Sequence, residues 1–304
     1  VVYISHRLEE IFEICDSVVV MRDGKYIARM DMGGCSKDHI VKLMVGRDVQ
    51  YNYGAGTSEI RDVILTARGI CYKDKVKNVG FDLHAGEVIG LGGLEGSGRT
   101  ELVECLFGAR RMDSGSVVIQ GREFGRITPA AASQVGLAYI TKDRKKAGLF
   151  MRQSVAGNIL SGNLRNFSKR GIIRYKTLDR SAMEYVDKFD IKTPTIRRLV
   201  YALSGGNQQK VLLSMWLVKN PKIIIVDEPT RGIDVGTKEE IHKLLRGLAG
   251  QGIGIIIISS DMPELLGASD RIIVMYEGKI TGELSLRDAD EHSVMHLASG
   301  GMKG

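Results

Sequence analysis

Between Gly93 and Thr100 the chain reads Gly93, Leu94, Glu95, Gly96, Ser97, Gly98, Arg99, Thr100. This is the phosphate-loop pattern G-x-x-x-x-G-K-[ST] at every fixed position but one, since Arg99 stands where the pattern has lysine. Glycines allow backbone N–H groups to turn inward around phosphate oxygens, and a following helix adds its N-terminal partial charge. Thr100 then offers a hydroxyl to Mg²⁺, and Glu101 opens the helix. A second chemical element is the run Pro221 to Thr230, an apolar stretch that ends in Asp227 and Glu228. Asp227 suits a hard divalent cation, and Glu228 suits a base that orients and deprotonates water. A third is Leu203 to Lys210, where Ser204, Gly205 and Gly206 open a helical run through Leu212, Leu213, Trp216 and Leu217. Its serine and early N–H groups form another anion-binding turn.

Chemistry of this kind needs strands that deliver those residues to one edge. Glu87 to Leu91 reads as a short buried strand before the loop, and Thr100 to Leu106 as a helix after it. Val63–Cys71 and Lys77–Leu83 read as an antiparallel pair, Ser116–Gly121 as a strand and turn, and Ala130–Val135 as a short helix feeding Gly136–Ile140. From 151 to 201 the strand signal fades and Leu178–Phe189 has helical spacing, which predicts a helical insertion; alternation resumes from 204. The fold class is therefore α/β: a mostly parallel sheet, an antiparallel portion and a helical subdomain.

The chain repeats itself. Residues 1–46 laid over 255–300 at a constant offset of 254 give ten identities, among them Ser5/Ser259, Glu10/Glu264 and Asp16/Asp270. Val1–Ile4 then reads as a buried strand, Leu8–Cys15 as a helix, and Ser17–Met21 with Lys25–Ala28 as a hairpin turning at Asp23-Gly24. The resulting division is 1–50 as the tail of one unit, 51–61 as a polar linker, and 62–304 as one complete unit. With no initiator methionine and an opening in mid-strand, the chain reads as a fragment, and residues 1–50 are not expected to hold a fold alone.

Composition sets the remaining bounds. The 304 residues are 43% apolar and 26% charged, which is enough to bury a full core. A net charge of +7 is spread along the chain, apart from Lys142 to Lys146. Cys15, Cys35, Cys71 and Cys105 lie far apart without a C-x-x-C pair, so neither a zinc site nor a disulfide framework is predicted and a reducing cytosol fits. No apolar run approaches the roughly 18 residues of a bilayer span.

In order and spacing, Gly93–Thr100, Leu203–Lys210, Ile223–Glu228 and Gly232-Ile233-Asp234 resemble the nucleotide-binding domains of ABC transporters, over essentially the whole chain. The tandem arrangement, Gly98 to Leu102, Asp143 to Leu149, Leu203 to Lys210 and Pro229 to Asp234 look like the second half of the ribose/galactose/xylose-type sugar importer ATPases. That resemblance implies a P-loop ABC ATPase with ATP and Mg²⁺ as cofactors. It implies membrane-spanning permease subunits as partners, a periplasmic or surface sugar-binding protein acting through them, and a location on the cytoplasmic face of a bacterial membrane. It also implies head-to-tail pairing with the first ATPase domain or a second copy. Ser204 and Gly206 would complete the site across that interface, with Gly205 and Asp234 counted among the nucleotide-binding residues. His6 matches the family's switch histidine, and the repeat makes Ser260 its counterpart here. Lys142 falls where the wider family has a loop glutamine, and Tyr72 is either the adenine-stacking aromatic or a core tyrosine. Arg99, Lys142 and Ser260 together imply weakened hydrolysis with ATP binding retained, whereas Glu228 argues for some activity. Two other classes compete with transport: a half-domain that holds nucleotide without turning it over, and a non-transport ABC protein acting on nucleic acid. The second would require a long basic insertion between the repeats, for which 47–61 leaves no room.

Overall fold

The computed structural model describes residues 1–301 apart from 5–7, 23, 37–38, 41–42, 45–52, 57, 165–167, 170–171 and 174. The chain opens with helix α1 (Leu8–Ile14) and the hairpin β1 (Ser17–Arg22) and β2 (Lys25–Asp31). β3 (Val63–Tyr72), β4 (Val76–His84), β5 (Val88–Gly92) and α2 (Arg99–Phe107) follow, then β6 (Ser114–Ile119), β7 (Arg122–Phe124), α3 (Pro129–Gln134) and β8 (Leu137–Ile140). The helical arm holds α4 (Val155–Ser161), the two-residue strands β9 (Ser168–Lys169) and β10 (Ile172–Ile173), and α5 (Tyr175–Lys188). The chain closes with α6 (Gly205–Leu217), β11 (Ile223–Asp227), α7 (Val235–Gly250), β12 (Gly254–Ile258), α8 (Met262–Ala268), β13 (Arg271–Tyr276), β14 (Lys279–Ser285) and α9 (Glu291–Ala298).

Six strands form the main sheet in the order β14-β13-β5-β12-β11-β8, parallel except at the β13/β14 edge. Buried parallel strands are apolar on both faces because each face is covered, which is why Ile223–Val226 and Ile255–Ile258 carry no polar alternation. Ile224, Val226, Ile255 and Ile257 face a core shared with α4, α6 and α7; Ile223, Ile225, Ile256 and Ile258 face one shared with α2 and the antiparallel sheet β4-β3-β6-β7. No described helix is long and apolar enough to cross a membrane.

One expected strand is absent. Val1–Ile4 is exposed and pairs with no described strand, whereas its repeat counterpart Ile255–Ile258 is hydrogen-bonded on both sides, by β5 and β11. A strand exists by its ladder, and apolar composition does not supply the neighbours. Further along, Ile11, Val18, Val20 and Ile40 gather into a small cluster against which Val235 is half-buried. The stretch expected to be a polar linker is also partly packed. Tyr53 is buried, its ring stacked on His242 with centroids 4.3 Å apart, and its N–H donates to the Gly267 carbonyl at 3.0 Å.

Asp270 ties these parts together. It accepts from Val88 N at 2.8 Å at the start of β5, from Gly56 N at 2.6 Å in the linker, and from Arg246 Nη1 at 2.9 and 3.0 Å. The pair is almost wholly withdrawn from solvent, and stripping one partner from such a pair leaves an uncompensated charge. Asp270→Ala should therefore cost about 3–5 kcal/mol in urea unfolding. A second check is chemical. Burial pushes the Cys105 thiol up to about 12, and because the thiolate is the nucleophile, Cys105 should resist alkylation in the native chain while the part-exposed Cys15, Cys35 and Cys71 react.

Candidate functional site

The loop after β5 has the conformation that its glycines permit. Gly93, Gly96 and Gly98 lie at φ 142°, 84° and 101°. A Cβ at Gly98 would stand 2.1 Å from the Lys75 carbonyl oxygen, and one at Gly93 2.4 Å from that of Met275, so the loop is seated directly on neighbouring backbone. Ser97 N donates to Leu94 O at 3.1 Å and Gly278 N to Ser97 O at 2.9 Å, while Leu94, Glu95 and Gly96 stay exposed at the rim. α2 begins at Arg99, so Thr100 and Glu101 occupy its first turn.

At the sheet's C-terminal edge β11 ends on Asp227, with Tyr139 from the end of β8 beside it. Thr100 Oγ1 lies 3.5 Å and Tyr139 OH 3.3 Å from Asp227 Oδ2, and both hydroxyls donate to the carboxylate. Glu228, at φ 52°, turns out of the strand; its N–H donates to Ile258 O at 2.8 Å and its Oε2 accepts from Ser260 Oγ at 3.1 Å. Burial pushes both carboxyls above the usual range. For Asp227 the charges of Lys142 and Arg99 and the Tyr139 hydroxyl act in the opposite direction; for Glu228 the Ser260 hydroxyl and Arg99 do. Tyr139 is raised by burial and by the Asp227 charge.

Arg99 does not present a fork to the mouth of the loop. Its Nη1 donates inward to Leu91 O at 3.3 Å and Ser259 O at 3.0 Å, and burial lowers its pKa against the charges of Glu228, Asp227 and Glu95. The other substituted position, Lys142, is exposed just past β8 and lies within Coulombic reach of Asp227.

A donor set of this kind suits Mg²⁺ and phosphate. Asp227 Oδ1 and Ser97 Oγ are buried without a hydrogen-bond partner, and Asp227 with Thr100 offers the oxygen ligands that a hard cation takes. The loop is also a cradle that side chains would fill at Gly93 and Gly98.

The structure does not bring every expected residue here. Ser204 is the exposed N-cap residue of α6, its Oγ accepting from Asn207 Nδ2 at 2.9 Å; among the described residues no hydrogen bond joins 204–206 to the loop. Gly205 and Gly206 pack instead against Arg144 and Thr237, where a Cβ would meet side-chain atoms at 2.8 and 2.2 Å. Asp234 caps α7 through Thr237 N at 3.0 Å. Tyr72 is buried, its hydroxyl accepting from Arg110 Nη1 at 3.2 Å, with Lys73 Nζ 5.3 Å and the Arg110 guanidinium 5.5 Å from the ring centre. Its ring therefore already carries cations. His6 lies outside the described residues.

Sequence reasoning passed over Tyr139, Arg144, Thr230, His242, Ser259 and Glu264. Arg144, in the basic run 142–146, is turned inward: it donates to Arg231 O at 2.6 Å, Gly232 O at 3.3 Å and Gln208 Oε1 at 3.4 Å. Ser259 and Glu264 had a signal, since both are repeat identities. Thr230 had only its place in the stretch Pro229 to Asp234, and Tyr139 and His242 carried none. Because the loop's seat leaves no room at Gly98, Gly98→Ala should break the φ 101° turn and abolish binding of a fluorescent adenine nucleotide, with a stability loss of about 1–3 kcal/mol.

Comparison with known proteins agrees with this geometry. Residues 76–231, just over half of the 304-residue chain, match the family model described as ABC transporter. The chain is 44% identical to the ribose import ATP-binding protein RbsA of Clostridium tetani, over 98% of this chain and 59% of that protein. To a putative ribose/galactose/methyl galactoside import ATP-binding protein of Hahella chejuensis it is also 44% identical, over 98% of this chain and 58% of that one. The chain thus spans a little under three-fifths of the length of these curated relatives. A nucleotide-free ATP-binding cassette from an ABC transporter has the same fold, with a TM-score of 0.66 and 22% identity over 78% of this chain and 96% of that one. So has a dimeric ATP-binding cassette bound to ADP and Pi, with a TM-score of 0.64 and 22% identity over 74% and 99%. The glycine loop, the acidic strand end and this extent of likeness place the chain in the ABC transporter family.

Proposed function

We propose that this chain is the ATP-binding and hydrolysing, energy-coupling part of a monosaccharide importer, with MgATP held at Gly93–Thr100. The convergence of Thr100, Asp227, Glu228 and Ser260 at one edge of the sheet, beside the glycine loop, carries the reading. The relatives' names, which specify ribose and galactose import, support the cargo class. Asp227 and Thr100 would hold Mg²⁺, which when bound neutralises charge developing on the phosphoryl oxygens. The loop N–H groups orient the phosphates. Ser260 holds Oε2 of Glu228, leaving Oε1 to take the proton of the attacking water. Arg99 is committed to carbonyls inside the sheet, so the γ-phosphate loses a cation that a lysine would supply. Hydrolysis at this site is therefore slow.

Residues 1–50 would be the tail of a first ATPase unit, 51–61 the linker and 62–304 the second unit. Exposed Ser204, with Gly205 and Gly206, would complete the first unit's site across a head-to-tail interface, or that of a second copy. Permease subunits at the cytoplasmic face of a bacterial membrane, served by a sugar-binding receptor, are the remaining partners; nucleic acid is not one.

Loss of a base or electrostatic group costs roughly 10²–10⁴ in rate, so the 304-residue chain should bind MgATP yet turn it over only slowly. Robust turnover abolished by Glu228→Gln would contradict the reading of a weakened site. In the protein carrying both units, Ser204→Arg should abolish sugar uptake and Arg99→Ala should leave most of it. The reverse would exchange the roles of the two sites. Glu228 must be deprotonated to act, and burial raises its pKa, so kcat/KM should fall on acidification at a pH above the ordinary carboxylate range. A pH profile flat through that region would remove Glu228 as the base.

A further inference from the structure

Glu264 lies on α8, behind the strand ends rather than among the groups facing the loop. The residue is 2% exposed, and the side chains that meet its carboxylate are about as deeply buried: Thr230 at 2%, Ser259 at 3% and His242 at 1%. Oε1 accepts from Thr230 Oγ1 at 2.8 Å and meets His242 Nε2; Oε2 accepts from Ser259 Oγ. Thr230 follows Glu228 by two residues at the end of β11, and Ser259 immediately precedes Ser260 at the end of β12. One carboxylate thus spans the two strand ends from which the hydrolytic pair emerges.

Three features distinguish this from ordinary helix docking. Glu228 holds a left-handed φ of 52°, which a glutamate keeps only where the residues around it fix the turn; Arg231 N closes that turn by donating to Glu228 O at 3.3 Å, and Thr230, inside it, accepts from Ile233 N at 3.2 Å while its side chain is tied to Glu264. Ser259 O also receives Arg99 Nη1 at 3.0 Å, so the phosphate loop's own cation ends at the same residue. Finally, the two repeat units keep this serine and glutamate, as Ser5/Ser259 and Glu10/Glu264, although the residue between strand and helix changes from His6 to Ser260. The two residue types persist in the sequence where the reacting one does not.

A carboxylate only accepts, so His242 turns an N–H at Nε2 toward it, and Nδ1 is buried without a hydrogen-bond partner. Besides that bond the ring is held by its stacking on Tyr53, at 4.3 Å and 24°, and Tyr53 belongs to the segment between the two repeat units. We propose that Glu264 is the positioning residue of the Glu228–Ser260 pair, and that Tyr53, through His242, lets the segment joining the units set how firmly that pair is held. This rests on the reading of Glu228 as the base of an ATPase site.

The test is amide hydrogen exchange on the 304-residue chain, combined with single-turnover hydrolysis of MgATP. Glu264→Gln keeps the side chain's size but faces three donors with an amide. Exchange at residues 228–231 and 258–261 should rise about tenfold, while β5 and β13 and the melting temperature move little. The single-turnover rate should fall about tenfold with half-saturation by MgATP within about twofold, as expected of lost positioning. Tyr53→Ala should loosen the same two strand ends to a smaller degree. His242→Gln, which keeps an N–H donor, should preserve them better than His242→Leu. Unchanged exchange at both strand ends in Glu264→Gln, or a rise no larger there than across the whole sheet, would overturn the proposal. If the wild-type chain bound no MgATP yet Glu264→Gln still loosened both ends, the ATPase reading would fall and the positioning of Glu228 and Ser260 by Glu264 would stand.

Discussion

The pairing of β11 with β12 is the constraint on which the site depends. Their register sets Ile223 opposite Gly254 and Asp227 opposite Ile258, so both strands end at one level. Glu228 and Ser260 leave the sheet side by side because of that register, and the Glu228 N–H to Ile258 carbonyl bond extends the ladder one step beyond β11. β5 pairs on the far side of β12 with Leu91 opposite Ile258, which brings the phosphate loop to the same edge. A side-chain period of two means that a slip of one residue would send each of these groups to the other face. Isoleucine and valine on both faces, buried between two cores, make such a slip costly.

Two carboxyls dominate the charge at that edge. Asp227 and Glu228 are held above their usual range chiefly by burial, and the one arginine beside them is directed at backbone carbonyls. A lysine's single ammonium reaches outward from such a loop as a point charge. Arg99 instead sets one nitrogen of its planar fork, Nη1, against two carbonyl acceptors behind the loop. The edge is therefore rich in acceptors, and the exposed Lys142 is a cation within Coulombic reach of Asp227.

The two repeat units show how far local sequence carries a fold. Ile4, Ser5, Glu10 and Asp16 are the same residues as Ile258, Ser259, Glu264 and Asp270, yet Val1–Ile4 is exposed while Ile255–Ile258 is central. The hairpin and the helix before it form in both places, because their hydrogen bonds close locally. A central parallel strand has no local partner, so it exists only where β5 and β11 flank it.

By itself the sequence determined the elements whose hydrogen bonds or spacing are local: the glycine loop between β5 and α2, the antiparallel pair β3–β4, the acidic end of β11, and the helices of the arm. It also supplied residue types suited to phosphate and magnesium, since Gly98, Thr100 and Asp227 can be recognised by type and order. Tertiary structure alone decided where side chains point. It turned Arg99 and Arg144 inward, laid cations on Tyr72, buried Tyr53 in what reads as a polar linker, and joined Thr230, His242, Ser259 and Glu264 around one carboxylate. Their separations, 34 residues for Thr230 to Glu264 and 160 for Arg99 to Ser259, have no periodicity to betray them. Such contacts arise where strand ends and helix starts from distant parts of the chain meet, and parallel β-pairing, being non-local, is what brings them together.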